Sequence, residues 1–477
     1  MGNHIFVKTN PAVLLALLTL VLVSAANCGG SAAIATLTPS RPAETSLPPP
    51  PPSATAVPSP TPLPTLTAVP TAVPGGLFVD LDKSLGPVSR LVFGTNHGPW
   101  AVVPMDSQQA FLDSGLTIIR FPGGNWGDEN DLDAQQIDQY IDLVRSIGAE
   151  PQINVRLRGG DPGKAAGLVK YTRDKDYNVK YWGIGNEPDL FDTKNKTWPN
   201  DRIVREWRAI AIAMREADPT IKLIGPEISQ FSPGAAGGDL EGRGLLVDFL
   251  KANADLVDYV SVHRYPFPKQ MGEGQPPVDK LLAAAQEWDR IIPDLRALIR
   301  ETTGRDMPVA VTEFNSTWAN WCCTSTAPDS LYSALYLGDS LGRMIRQRVD
   351  IVNQFCLQQS QGGLGLFGRF DPNPPYYVYQ LYKRFGDELV VSSSGRHDVS
   401  IYAARSTATG KLTLIIFNLS SSEATPRLMI PALASPVTAD VWLLDENHKA
   451  EKVGTETLSA DTTVSLPAYS MSLYLVR

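Results

Sequence analysis

The chain has 477 residues, enough for more than one domain with its own core. Its 42 Lys and Arg against 50 Asp and Glu leave a net charge of −8. With a sequence pI near 5.3, that balance argues against a nucleic-acid or anionic-membrane surface. No P-loop, no GxGxxG after a strand and no HExxH is present, so neither a nucleotide cofactor nor zincin chemistry is expected, and no cofactor or metal is assigned.

The N-terminus reads as an export signal rather than as part of the fold. Lys8 precedes the apolar run Pro11 to Val23, which is too short to span a bilayer comfortably. Cys28 follows directly, as in a bacterial lipoprotein, although Asn27 departs from the small residue usual before a lipidated cysteine. Ordinary cleavage after Ala26 is the alternative, since Ser24-Ala25-Ala26 fits the small-x-small rule. Residues 1–27 are therefore read as a signal peptide of an exported, surface-bound or secreted protein. A lipid at Cys28 would be its sole membrane contact. Residues 31–74 hold 13 of the chain's 39 prolines, interleaved with Ser, Thr and Ala. Such a composition cannot bury enough apolar surface to fold. Residues 28–76 are expected to be an extended spacer, reaching on the order of 100 Å at about 3.1 Å per residue.

From Leu77 onward short apolar runs alternate with helical segments, the pattern of βα units around a parallel sheet. Eight strands are expected, at Leu91–Asn96, Ile118–Phe121, Glu150–Val155, Tyr181–Asn186, Leu223–Glu227, Tyr259–His263, Val309–Glu313 and Ile351–Phe355. The clearest helices between them are Ala134–Ser146, Asp201–Ala217, Val278–Thr302 and Leu331–Arg348. Eight strands at this spacing make a (β/α)8 TIM barrel over residues 77–388 the economical fold. The tail changes period: VSIYAA, KLTLIIFNL, ADVWLLD and SMSLYLV alternate with a period of two. Residues 389–477 are thus read as a C-terminal antiparallel β-sandwich domain.

Two glutamates far apart in the chain each close a short apolar run: Glu187 after VKYWGIGN and Glu313 after MPVAVT. An unpaired buried charge costs several kcal/mol, so such groups stand where they are used or paired. The C-terminal strand ends of a parallel barrel are where active sites form, and two facing carboxylates are the equipment for breaking a glycosidic bond. Other polar residues recur at the same ends. They are Asn96 and His97, Arg120, Asn186, His263 and Tyr265, and Asn353, Gln354 and Gln358. Together they describe a lined cleft for a poly- or oligosaccharide. Trp100, Trp126 and Trp318 are candidate sugar-stacking platforms, with ordinary rim packing as the alternative, and Trp182 sits inside a strand. The acidic run Asp128, Glu129, Asp131, Asp133 lacks calcium-loop spacing and reads as a solvated loop. Neighbouring barrel loops would bring Cys356 within disulfide range of Cys322 or Cys323, which an exported protein permits.

WGIGNEP followed by VTEFN resembles clan A of the glycoside hydrolases, the retaining (β/α)8-barrel glycosidases. The resemblance covers roughly residues 77–477. It implies that Glu313 is the nucleophile and Glu187 the acid/base. It also implies that Asn186 bonds the sugar 2-hydroxyl. Arg120 would hold Glu313 ionised, or else form an ion pair inside the barrel. Tyr265 would orient Glu313, and His263 would line the subsite or be a core histidine. In similar glycosidases the sandwich borrows a strand from before the barrel, and Leu77–Leu81 is the candidate. RFPGG and WGIGNE look like family 51 arabinofuranosidases, whereas NEPDLF and the tail look as much like family 44 endoglucanases or family 39 xylosidases. Transglycosylation on the same site, and polysaccharide binding without catalysis, are the competing readings.

Overall fold

The computed structural model describes residues 73–191, 197–234, 240–267, 274–319, 324–359 and 363–477. The expected signal segment, Cys28, all but the last residues of the spacer, and Cys322 and Cys323 lie outside them. The first strand, β1 (Leu77–Pro87), precedes a closed barrel of eight strands. These are β2 (Gly94–Asn96), β3 (Ile118–Phe121), β4 (Glu150–Val155), β5 (Tyr181–Ile184), β6 (Lys222–Ile228), β7 (Tyr259–Arg264), β8 (Val309–Phe314) and β9 (Ile351–Gln354). Neighbours pair in parallel all the way round, and β2 closes the ring on β9 through Gly94 opposite Asn353.

The strands are buried on both faces, which is why they read as unbroken apolar runs. Ile118, Tyr181, Ile224, Ala310 and Ile351 come from near the strand starts and pack as a small cluster of their own at that end. The surrounding helices bury their apolar stripes in a second, larger core. The helix Ala134–Ser146 begins with a capping box in which the Asp133 carboxylate accepts the Gln136 N–H. The expected helix Val278–Thr302 is instead two, Val278–Ala284 and Trp288–Thr303, joined by a single 3-10 turn. The first barrel strand is shorter than expected, since Arg90–Val92 forms a 3-10 turn beneath it.

After the barrel come β10 (Glu388–Ser394), β11 (Val399–Arg405), β12 (Leu412–Asn418), β13 (Arg427–Met429), β14 (Val437–Leu444), β15 (Lys449–Leu458), β16 (Asp461–Thr463) and β17 (Ser470–Val476). With β1 they form one nine-stranded sheet, in the order β15-β14-β17-β12-β11-β10-β1-β13-β16. Only the β1–β13 contact is parallel. Leu458 and Leu428, near opposite edges, share one apolar cluster, so the sheet curls over itself in the manner of a sandwich. Its other face packs on the barrel helix Leu331–Arg346. A Cβ at Gly342 would lie 2.3 Å from the Tyr402 ring. Beside it the Tyr402 hydroxyl donates to the buried Asp339 carboxylate at 2.6 Å.

Candidate active site

The site is built outward from Arg120 on β3. Its side chain is fully buried, yet its guanidinium finds four acceptors from four strand ends. Nη1 donates to Asn96 Oδ1 at 2.8 Å and to Glu313 Oε1 at 2.7 Å. Nη2 donates to Asn186 Oδ1 at 2.8 Å and to Glu227 Oε2. A planar fork that cannot lose its proton suits this junction, where a lysine would offer a single point charge.

Glu313 ends β8 with donors on both carboxylate oxygens. Oε1 also accepts the Gly124 N–H at 2.9 Å, and Oε2 accepts the Tyr265 hydroxyl at 2.9 Å. Gly124 adopts φ +65°, and this left-handed turn is part of how the loop after β3 reaches Glu313. Burial alone would raise the Glu313 carboxyl. The opposing pull of His263, Arg120, Tyr265 and Gly124 nevertheless leaves it below the ordinary value. Because burial drives His263 toward its neutral form, Arg120 is the lasting support for that charge.

Glu187 faces it from the end of β5, with φ +47° and a side chain 14% exposed. Burial first, then the charges of Glu313 and Asp189, push its carboxyl well above the ordinary range. His263 Nδ1 lies 3.0 Å from Glu187 Oε1, and Nε2 lies 3.1 Å from Thr312 Oγ1. A neutral imidazole protonated at Nε2 satisfies both contacts, accepting the Glu187 proton at Nδ1. Glu187, His263 and Glu313 each bring one atom within 4.8 Å of the others. Such a trio has the donors for a cation, but Arg120 already compensates Glu313. The arrangement is therefore read as a proton-handling pair. Two carboxyls this close have proton affinities driven apart, Glu187 toward the protonated form and Glu313 toward the ionised one.

The glutamates line a cleft of about 480 Å³ together with Asn125, Asn186, Tyr265, Trp318 and Phe355. Asn186 is fixed on three sides: its N–H donates to Asp128 Oδ2 at 2.6 Å, its carbonyl serves Arg120, and Nδ2 donates to Asn125 Oδ1 at 3.0 Å. Trp318 is 40% exposed at the rim, Trp100 stacks on Phe355 with centroids 6.5 Å apart, and Trp126 is half-buried. Trp182 is core, donating Nε1–H to the Val179 carbonyl.

Several expected substrate contacts lie beneath the cleft instead. Asn96 is sealed, its Nδ2 donating to the Thr312 and Gln354 carbonyls, and Gln354 spends its amide on Leu364 and Thr95. His97 is buried against Phe121, and burial lowers its pKa to about 4. Residues at the same strand end alternate between cleft and core, so position at an end does not by itself give access. Asp128 is a further correction. It is buried rather than solvated, and holds the N–H groups of Leu157, Arg158 and Asn186. Cys356 is buried, while both of its expected partners fall outside the described residues. Glu227, which ends the fifth barrel strand, was not singled out from the sequence. The one available signal was its position, a carboxylate closing an apolar run just as Glu187 and Glu313 do.

Residues 168–359, which contain both glutamates, match the model of glycosyl hydrolases family 39. An intracellular exo-α-(1→5)-L-arabinofuranosidase of Streptomyces lividans is 27% identical over 236 residues, covering 40% of this chain and 33% of that protein. A heparanase of Bos taurus is 25% identical over 248 residues, covering 49% of this chain and 41% of that one. The match thus spans well under half the length of either relative. The α-L-arabinofuranosidase structure from Thermotoga maritima superposes with a TM-score of 0.67 at 19% identity, covering 84% of this chain and 99% of that one. The fold and the matches are similar to those of the clan A glycoside hydrolases. Within that class the family model matched is family 39, while the arabinofuranosidase and heparanase matches point to no single substrate.

Proposed function

We propose that the protein is an exported retaining glycosidase that cleaves O-glycosidic bonds of plant-type or microbial polysaccharide by double displacement. The observation that carries this is the Glu187–Glu313 pair, with oxygens within 4.8 Å of each other and environments that split their proton affinities. Retaining enzymes hold their carboxyls about 5–5.5 Å apart, whereas inverting ones leave about 6.5–9.5 Å for a water. Glu313, ionised, attacks the anomeric carbon while Glu187 protonates the departing oxygen. Glu187 then takes a proton from the water that releases the sugar. Asn186 offers Nδ2 toward the sugar 2-hydroxyl, and Tyr265 steadies the nucleophile. The specificity proposed is of the arabinofuranosidase, endo-glucanase or xylosidase type.

Export rests on the apolar run before Cys28 and the proline-rich spacer. The deciding experiment incubates the enzyme with aryl arabinofuranosides, xylosides and glucosides and with their polymers, and follows the anomeric proton by NMR. The released sugar should first appear with the substrate's configuration. Inverted product, or no hydrolysis of any member, would sink the proposal.

A further inference from the structure

A third carboxylate lies beneath the two glutamates, and double displacement leaves it without a task. Glu227 closes β6, is fully buried and adopts φ +60°. Its Oε2 accepts from Arg120 Nη2 and from Asn154 Nδ2 at 2.8 Å, and its N–H donates to Ser261 Oγ at 3.0 Å. Oε1 has no hydrogen-bond partner among the described residues. Arg120 therefore bridges two acids, Glu313 through Nη1 and Glu227 through Nη2.

That bridge matters when Glu313 reacts. A Glu313 oxygen forms a bond to the anomeric carbon, the bond from that carbon to the leaving oxygen breaks, and the leaving oxygen takes the Glu187 proton. Glu313 is then a neutral ester. Arg120 cannot release a proton, and a lone cation in a sealed site is strongly disfavoured.

We propose, on the retaining reading above, that Glu227 is a positioning residue: the standing counter-charge that keeps Arg120 compensated and in place while Glu313 carries the sugar. The charged or titratable groups around it are Arg120 on β3, His263 on β7 and Glu313 on β8, with Glu187 beyond. Burial leaves the Glu227 carboxyl above its ordinary value, with Arg120, His263 and Asn154 limiting the rise without cancelling it. The left-handed backbone of Glu227 also ties it to the acid/base, since its carbonyl accepts the Glu187 N–H at 3.0 Å.

The test is Glu227→Gln, assayed against pH with an activated aryl glycoside that the wild type hydrolyses. Without the second anion Arg120 holds Glu313 alone, so the acid limb of kcat/KM should move to lower pH by about one unit. The plateau should fall about tenfold or more, and less glycosyl-enzyme should be trapped on acid quenching and mass measurement. Glu227→Asp, which keeps the charge one methylene farther off, should shift the limb less. A wild-type limb and intermediate level in Glu227→Gln overturn the proposal. So does a plain rate loss with an unmoved limb and a lowered melting temperature, which marks a structural role. Should Glu227→Gln fail to accumulate folded, the same unmoved readouts in Glu227→Asp overturn it. Failure of the glycosidase reading looks different, because the wild type itself would then lack turnover or invert.

Discussion

The Tyr265 hydroxyl donates to Glu313 Oε2 at 2.9 Å, from a strand end next to the one that bears the glutamate. That bond favours the ionised carboxylate, so removing it should raise the Glu313 pKa. A hydrogen bond to a charged group is worth about 1.5–3 kcal/mol, and one pKa unit corresponds to about 1.4 kcal/mol. Tyr265→Phe should therefore move the acid limb of kcat/KM upward by about one pH unit, costing most activity on the acid side. On the proposed mechanism the alkaline limb is that of Glu187 and should stay. A pH–rate profile with an unmoved acid limb would mean that Tyr265 does not steady the nucleophile.

The two glutamates should separate kinetically. Glu313→Gln should fold normally and lose nearly all turnover, since no glycosyl-enzyme can form. Glu187→Ala should also be slow, but azide should restore activity on a substrate with a good leaving group, because the anion replaces the activated water. The azide-treated reaction is checked for a glycosyl azide of retained configuration. Wild-type rates in Glu313→Gln would remove it from the nucleophile's role.

Arg120→Met should destabilise the fold by about 3–5 kcal/mol at neutral pH, the cost of stranding buried charge. Glu227 and Glu313 would then lack their cation, so their folded pKa values would rise above the unfolded ones. Stability missing at neutral pH should return as the pH falls and both acids take up protons. Urea titrations at pH 7 and pH 4.5 check this, and a deficit equal at both values would point to lost packing instead.

Cys28→Ser tests the tether. If Cys28 carries a lipid and residues 28–76 act as the expected spacer, the substitution should move the enzyme from membranes to medium without changing its rate. Activity assays on cell fractions decide it. Wild type found wholly in the medium, beginning at Asn27, would show cleavage after Ala26 instead.

What the chain revealed by itself follows from periodicity. β3 and β4 are bounded as their apolar runs suggest, and Glu187 and Glu313 stand out as charges ending such runs. Burial of polar residues was not readable, because it depends on partners far away in sequence. Asp128 looks like one more acid in a solvated run until the N–H groups of Leu157, Arg158 and Asn186 close on it. Asn96 and Gln354 look like cleft residues until their amides are seen spent on backbone carbonyls inside the barrel. Glu227 ends its strand as the other two glutamates do, but its meaning comes from Arg120, supplied by a strand on the other side of the pair.

The pairing of β1 with β10 gives the whole barrel the status of an insertion between two adjacent strands of one sheet. On the ribosome, β1 emerges first and must wait, its edge unsatisfied, until every barrel strand has been made. An exposed edge of this kind invites pairing with other chains. The tail sheet is thus the clasp that closes last on both ends of the catalytic unit. A chain stopped just before Glu388 would keep both glutamates and the ring that carries them, yet should aggregate through its orphaned first strand.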